Sequence, residues 1–119
     1  MTDTYDLFQQ GRAHLRNGRP AQATVSLEKA KRREPSSRSI REALGIAYFR
    51  LGRWAEAEAE FQALVDLSPD DEFAHRALGR ALANQGRRDE AAPHFKLARS
   101  LRPRQDPNDE PLEDERESA

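Results

Sequence analysis

The glycines of this chain fall on a regular lattice, and that lattice constrains the fold more than any other feature. All six glycines belong to two series spaced 34 residues apart: Gly11, Gly45, Gly79 and Gly18, Gly52, Gly86. The same spacing relates Pro35, Pro69 and Pro103, and it relates Ala23, Ala57 and Ala91. A constant period of this length is typical of stacked structural repeats. We therefore divide the chain into three repeats, residues 4–37, 38–71 and 72–103.

Each repeat has the pattern of two helices joined by a tight turn. Apolar residues recur at helical spacing on both sides of the second glycine, and glycine readily takes the left-handed conformation that ends a helix. The repeated prolines are expected to end the second helix, and Asp3, Ser37 and Asp71 are good N-caps for the first. The pattern predicts helices over 4–17, 20–33, 38–51, 54–67, 72–85 and 88–101.

Two local features of these helices call for a physical reason. Glycine inside a helix costs about 1 kcal/mol relative to alanine, so Gly45 and Ala57 indicate that the two antiparallel helices of a repeat cross closely. Pro93 lies in the second turn of the last predicted helix, where it removes a backbone hydrogen bond. We expect a local kink there or a late helix start.

These residues resemble the tetratricopeptide repeat (TPR) family, whose 34-residue unit reads W-x2-L-G-x2-Y, then A-x3-F, then P. The middle repeat matches best, with Leu44-Gly45, Tyr48, Ala57, Phe61 and Pro69, while Arg41 replaces the tryptophan. The resemblance covers residues 4–103 and implies an all-α fold, a right-handed superhelical stack of three antiparallel helix pairs. The main alternative is the 35-residue RNA-reading helical repeat, which the unbroken spacing of 34 disfavours.

The resemblance also implies a binding surface, because ligands of the family usually lie on the concave face made by the first helix of each repeat. The positions implied are Tyr5, Phe8, Arg12, Leu15, Arg16, Ser39, Glu42, Ile46, Phe49, Arg50, Phe73, Arg76, Arg80, Ala83 and Asn84. Arginines among aromatic rings suit a ligand that is partly acidic and partly apolar. We therefore expect this face to bind a peptide or helix of another protein. The alternative is that the rings pack within the repeats and the arginines are merely hydrated.

One known binding mode of the family is not expected here. Some TPR co-chaperones hold the C-terminal carboxylate of heat-shock chaperones with a clamp of lysine, asparagine and arginine. The clamp positions of this chain are Phe8, Arg12, Ala43, Phe73 and Ala77. Arg12 alone could make a polar contact, so a clamp of that type is disfavoured.

Composition and charge limit the kinds of site and the cellular location that are expected for this chain. The chain has 20 basic and 21 acidic residues and no cysteine, which excludes disulfides and thiolate metal sites. Residues 104–119 carry seven acidic and two basic residues, so we predict a disordered acidic tail that could compete for the basic groove.

The N-terminus lacks the pattern of a signal peptide and no apolar run is long enough to span a bilayer, so a cytoplasmic location is expected.

No catalytic or metal site is evident in the sequence. The three histidines lie in different predicted helices and no pair has the spacing of helical metal ligands. His14 occupies the tyrosine position of the repeat and is expected to be packed in the interior, whereas His94 is expected to face outward. We therefore expect no enzymatic activity, no cofactor and no metal.

Two alternatives to groove binding remain. Repeat arrays usually need a polar cap, and none is evident after Pro103, so Leu97 and Leu101 are expected to stay partly exposed. The chain could then be a scaffold or a self-assembling subunit that uses its helix ends. Nucleic-acid binding is less favoured, because the middle repeat has four basic and seven acidic residues and interrupts any basic track.

Overall fold

A computed structural model describes residues 2–102, which form six helices. Their bounds are α1 Thr4–Arg16, α2 Pro20–Arg33, α3 Arg38–Arg50, α4 Trp54–Leu67, α5 Glu72–Ala83 and α6 Arg88–Leu101. Within this range there is no strand, and no helix is long and apolar enough to cross a membrane. All six helices begin where the sequence predicts. The helix stop at Pro103 and the acidic tail over 104–119 lie outside the described residues.

The first helix of each repeat ends one or two residues earlier than predicted, because the chain leaves the helix before the turn glycine. Gly18, Gly52 and Gly86 have φ angles of 71°, 72° and 79°, which confirms the predicted left-handed turn. The N–H of the following arginine reaches back to a carbonyl of the last helical turn. These hydrogen bonds join Arg19 to His14 at 2.8 Å, Arg53 to Tyr48 at 3.0 Å and Arg87 to Leu82 at 3.1 Å. The turns thereby satisfy carbonyls that a helix end would otherwise leave unpaired.

The predicted N-caps are confirmed at all three first helices. Asp3 Oδ1 accepts a hydrogen bond from the backbone N–H of Asp6 at 2.7 Å. In the same way Ser37 Oγ accepts from Ile40 and Asp71 Oδ1 from Ala74, both at 3.3 Å. Each cap satisfies one of the four free N–H groups of a helix start.

The small residues inside the helices let the two helices of a repeat touch. A Cβ atom added at Gly45 would lie 2.4 Å from Cε1 of Phe61, and one added at Gly11 would lie 2.5 Å from Cγ of Leu27. At Gly79 the corresponding distance to Cε1 of Phe95 is 2.9 Å. The interpretation of Gly45 as a close-packing residue is therefore confirmed.

The repeats stack into one continuous array. Helix α2 packs on α3, and α4 packs on α5, so a shared apolar core runs from Leu27 through Phe61 to Leu78. The ring of Phe61 meets that of Phe73 in the next repeat edge to face, with 6.0 Å between centroids. This is the all-α solenoid that the sequence predicts.

Pro93 does not delay the start of α6, so that part of the prediction is wrong. The helix begins at Arg88 and continues through the proline. The missing N–H would have paired with the carbonyl of Asp89 in the preceding turn. Asp89 and Pro93 are both exposed, so water can hydrate the freed carbonyl.

Candidate functional site

The first helices of the three repeats line two neighbouring cavities. A cavity of about 370 Å³ lies between α1 and α3 and is lined by Phe8, Arg12, Leu15, Arg16, Ser39, Glu42, Ala43, Ile46 and Arg50. A second cavity of about 260 Å³ lies between α3 and α5 and is lined by Ile46, Phe49, Arg50, Phe61, Phe73, Arg76, Ala77 and Arg80. Because both include Ile46 and Arg50, they form one continuous surface, which we call the groove.

Of the fifteen positions that the family resemblance implies, twelve line the groove. They are Phe8, Arg12, Leu15, Arg16, Ser39, Glu42, Ile46, Phe49, Arg50, Phe73, Arg76 and Arg80. The other three are Tyr5, Ala83 and Asn84. Tyr5 does not line the groove, because it lies in the first turn of α1 and is 67% exposed. Asn84 does not either, because α5 ends at Ala83 and Asn84 serves as its C-cap. Phe61, Ala43 and Ala77 also line the cavities, although we had not placed them among the candidates.

Three of the groove arginines lie over aromatic rings. The Cζ atom of Arg80 is 5.0 Å from the ring centroid of Phe49, that of Arg12 is 5.6 Å from Phe8, and that of Arg76 is 5.9 Å from Phe73. At these distances the positive charge is attracted to the ring face. Since Arg76 also donates to Glu72 at 2.7 Å, its guanidinium is held from two sides. The groove thus presents positive charge and apolar surface at the same places.

Arg50 occupies the junction of the two cavities and is fixed there by the backbone. Its Nη1 donates to the carbonyl of Leu15 at 3.0 Å, near the end of α1, where carbonyls lack partners within the helix. The contact joins α1 to α3. It keeps a positive charge at the centre of the groove.

Glu42 places a carboxylate in a surface otherwise dominated by arginines. Burial raises the pKa of its carboxyl, the negative charge of Asp71 raises it further, and Arg12 opposes both effects. Among residues 2–102 the Glu42 side chain has no hydrogen-bond partner. A carboxylate in this position repels an acidic ligand in the first cavity.

Outside the groove, a buried glutamate joins the first two repeats. Glu60 is 5% exposed, and its two oxygens accept from Lys31 of α2 and Arg41 of α3, both at 2.9 Å. Sequence reasoning missed this network. From the sequence Glu60 is interpreted as an ordinary hydrated charge, like Glu56 and Glu58, because the repeat pattern does not indicate its partners on α2 and α3.

Two histidines meet between α5 and α6. His75 is 4% exposed, and its Nδ1 lies 3.2 Å from Nδ1 of His94. The prediction that His94 faces outward is therefore wrong, because its place in the repeat is that of the inward-facing Glu60. Burial, followed by the charge of His75, lowers the pKa of His94. In the part of the chain that the structure describes, no three potential metal ligands cluster.

The remaining predictions concern His14 and the end of α6. His14 is half-buried rather than enclosed, which corrects its placement in the interior. The equivalent Tyr48 is covered from the preceding repeat, where Glu28 accepts its hydroxyl hydrogen bond at 2.7 Å, and α1 has no helix before it in this structure. At the other end Leu97 is 40% exposed and Leu101 is half-buried, as expected.

Comparison with known proteins adds independent findings on sequence and fold. A family model for the tetratricopeptide repeat matches residues 8–72, and a second tetratricopeptide repeat model matches residues 73–96. No curated protein sequence matches significantly.

Solved structures with a similar fold include those of MamA. MamA AMB-1 is 30% identical with a TM-score of 0.80, over 83% of this chain and 54% of that one. MamA MSR-1 is 29% identical with a TM-score of 0.79, over 84% and 57%. The chain thus spans little more than half the length of these relatives. The first TPR of Spaghetti (RPAP3), bound to the HSP90 peptide SRMEEVD, is 23% identical with a TM-score of 0.78, over 89% and 81%, and it supports the fold alone.

Proposed function

Because the chain belongs to the tetratricopeptide repeat family, we propose that it is a protein-interaction module whose groove binds a short, partly acidic and partly apolar peptide or helix. The observation that carries this proposal is the placement of Arg12, Arg76 and Arg80 over the rings of Phe8, Phe73 and Phe49. On such a surface a carboxylate of the ligand can pair with an arginine, and a neighbouring apolar side chain of the ligand can pack on the aromatic ring at the same point.

The dimensions of the groove suit a few side chains of an extended segment. Its cavities of about 370 Å³ and about 260 Å³ are near the lower end of the range for binding pockets. In the second cavity an apolar side chain of the ligand packs against Phe49 and Phe73, while Arg76 and Arg80 bind neighbouring carboxylates. Arg50, already fixed to α1, attracts acidic groups to the centre.

The peptide bound to the RPAP3 domain can be compared with the ligand that we propose for this chain. Its peptide SRMEEVD contains two glutamates and an aspartate beside methionine and valine, so it is itself acidic and partly apolar. Of the five clamp positions in this chain, Phe8, Ala43, Phe73 and Ala77 cannot bind a terminal carboxylate, and Arg12 alone could make a polar contact. We therefore assign the acidic contacts to Arg76 and Arg80 instead of a terminal-carboxylate clamp.

Charge reversal in the second cavity tests the proposal. Seven-residue peptides are first selected from a displayed library on the intact chain, and we expect acidic residues beside a large apolar one. The Arg76→Glu/Arg80→Glu variant should bind the selected peptide at least about 100-fold more weakly, since two charge-assisted contacts are replaced by repulsion. Fluorescence anisotropy gives the affinity, and circular dichroism checks that the helices persist.

Two matched variants control this experiment. Lys29→Glu/Arg32→Glu makes the same change in net charge at exposed positions of α2, and it should leave affinity within a few-fold of the wild type. Glu42→Gln removes the groove carboxylate and should tighten binding. Unchanged binding by the Arg76→Glu/Arg80→Glu variant, or an equal loss in the α2 variant, would contradict groove binding.

Self-association through the end of α6 is a second candidate function, favoured by the exposure of Leu97 at 40%. Light scattering over a concentration series measures the molar mass directly. If this function is correct, the mass rises above that of the 13.5 kDa chain as concentration increases, and Leu97→Gln restores the monomer. A constant monomer mass up to millimolar concentration would rule it out.

A further inference from the structure

The two histidines of the third repeat occupy the positions of the buried ion pair of the second. His75 follows Arg41 by 34 residues, and His94 follows Glu60 by 34 residues. Both pairs have the same arrangement, in which a side chain of the first helix contacts a side chain of the second helix within one repeat. The third repeat therefore has two imidazoles where the second has an ion pair of opposite charges.

The correspondence includes the backbone. Arg41 Nε donates to the carbonyl of Pro35 at 2.9 Å, and His75 Nε2 lies 2.7 Å from the carbonyl of Pro69. Pro69 follows Pro35 by 34 residues. Since a carbonyl can only accept, Nε2 of His75 must carry its proton.

That proton determines how the two rings meet. The Nδ1 atoms are 3.2 Å apart while the ring centroids are 5.5 Å apart, so the two nitrogens face each other between the rings. One of them must donate and the other must accept. His75 already bears its proton on Nε2, so in its neutral form its Nδ1 accepts from Nδ1–H of His94. Protons on both Nδ1 atoms would place two N–H groups head to head, in a site where His75 is 4% exposed.

Among residues 2–102, no carboxylate makes a hydrogen bond or an ion pair with either ring. In the second repeat Lys31 of α2 reaches Glu60 at 2.9 Å, but the equivalent residue on α4 is the apolar Val65. The carboxylates within one helical turn of the histidines are engaged elsewhere: Asp71 caps α5, Glu72 binds Arg76 at 2.7 Å and Glu90 binds Arg87 at 2.7 Å. Consistently, burial and the charge of His75 lower the pKa of His94, with no carboxylate opposing them.

We infer that the His75–His94 pair makes the packing of α5 on α6 sensitive to pH, so that the third repeat loosens as the pH falls below about 6.5 and the groove loses affinity. While the two Nδ1 atoms share one hydrogen bond, one of them has to stay without a proton, whereas an unfolded chain can protonate both imidazoles in this range. The free energy of unfolding therefore falls as the pH falls. The effect on the groove rests on the proposed function, because α5 carries Phe73, Arg76 and Arg80.

Amide hydrogen exchange of the intact chain without ligand tests the first part. One excluded proton lowers the protection of α5 and α6 about tenfold between pH 7.5 and 5.5, after correction for intrinsic exchange rates. Helices α1 and α2 should change much less. The variant His75→Arg/His94→Glu copies the pair of the second repeat and should abolish the difference. Equal loss in wild type and this variant, or equal loss in all six helices, would overturn the inference.

A second variant keeps the test decisive if the double substitution does not fold. In His94→Gln the amide can donate to Nδ1 of His75 at high pH and accept from it at low pH, so the pH dependence should largely disappear. Nitrogen-15 spectra of the wild-type imidazoles provide a direct check. Two imidazoles that are both doubly protonated at pH 5.5 while the fold is intact would disprove the proton count.

Peptide binding at both pH values separates this inference from the proposed function. The selected peptide should bind wild type and the charged-pair variant equally at pH 7.5, and wild type several-fold more weakly at pH 5.5. If neither protein binds at pH 7.5, the proposed function fails while the exchange result stands. If both bind equally at pH 5.5, the function stands and the coupling to the groove is disproved.

Discussion

Replacing Phe61 with alanine is expected to lower the free energy of unfolding by about 3–5 kcal/mol, the range for removing a fully enclosed aromatic ring. Phe61 is 2% exposed. Its ring fills the space above Gly45 and meets Phe73 of the next repeat at 6.0 Å. The substitution therefore removes packing both within the second repeat and between the second and third repeats.

Urea denaturation followed by circular dichroism measures this loss, and the chain contains a matched control. Phe95 has the same place in the third repeat but is only half-buried. Phe95→Ala should therefore cost clearly less, on the order of 1–3 kcal/mol. Similar losses at the two positions would mean that the contact between repeats adds little stability.

Replacing Gly45 with alanine is expected to destabilise the protein by about 1–3 kcal/mol, the usual cost of overpacking a core. The sign is informative, because alanine is favoured over glycine inside a helix by about 1 kcal/mol. The new Cβ would lie 2.4 Å from the ring of Phe61, which is 2% exposed and is also in contact with Phe73 of the next repeat. Steric overlap should outweigh the gain in helix propensity.

Substitutions at two other glycines serve as controls in the same denaturation experiment. Gly79→Ala places its Cβ 2.9 Å from Phe95, a half-buried ring that can shift, so the cost should be smaller. Gly86→Ala meets nothing within 4 Å but has φ of 79°, so it should cost about 1–2 kcal/mol through the backbone alone. A Gly45→Ala protein as stable as the wild type would disprove close packing as the role of this glycine.

Most of the fold could be predicted from the 34-residue spacing, because each periodic residue has a local physical role. Turn glycines, N-caps and crossing glycines act within a few residues or within one helix pair, so their positions alone predict where helices begin and which faces touch. Two predictions were wrong at residues whose surroundings differ from those that the repeat pattern implies. Among the described residues no helix precedes α1 to cover His14, and Asn84 caps α5 and does not lie within it.

Side-chain pairing across helices could not be read in the same way. Periodicity does not show which polar partners positions 60 and 94 meet, and from the sequence alone His94 is expected to face outward. Comparison of equivalent positions would have suggested both networks, since Arg41 and Glu60 stand where His75 and His94 stand one repeat later. The groove positions were predictable from the resemblance to the tetratricopeptide repeat family, whereas the cation–ring pairs depend on rotamers that the sequence does not specify.

The most direct test of the central claim is a titration of the isotope-labelled intact chain with the selected acidic and apolar peptide, followed by amide chemical shifts. Groove binding predicts that the largest changes fall on α1, α3 and α5, around Arg50, Arg76 and Arg80, and that they saturate together at one affinity. Changes confined to α6 near Leu97, with the residues around Arg50 unaffected, would contradict it.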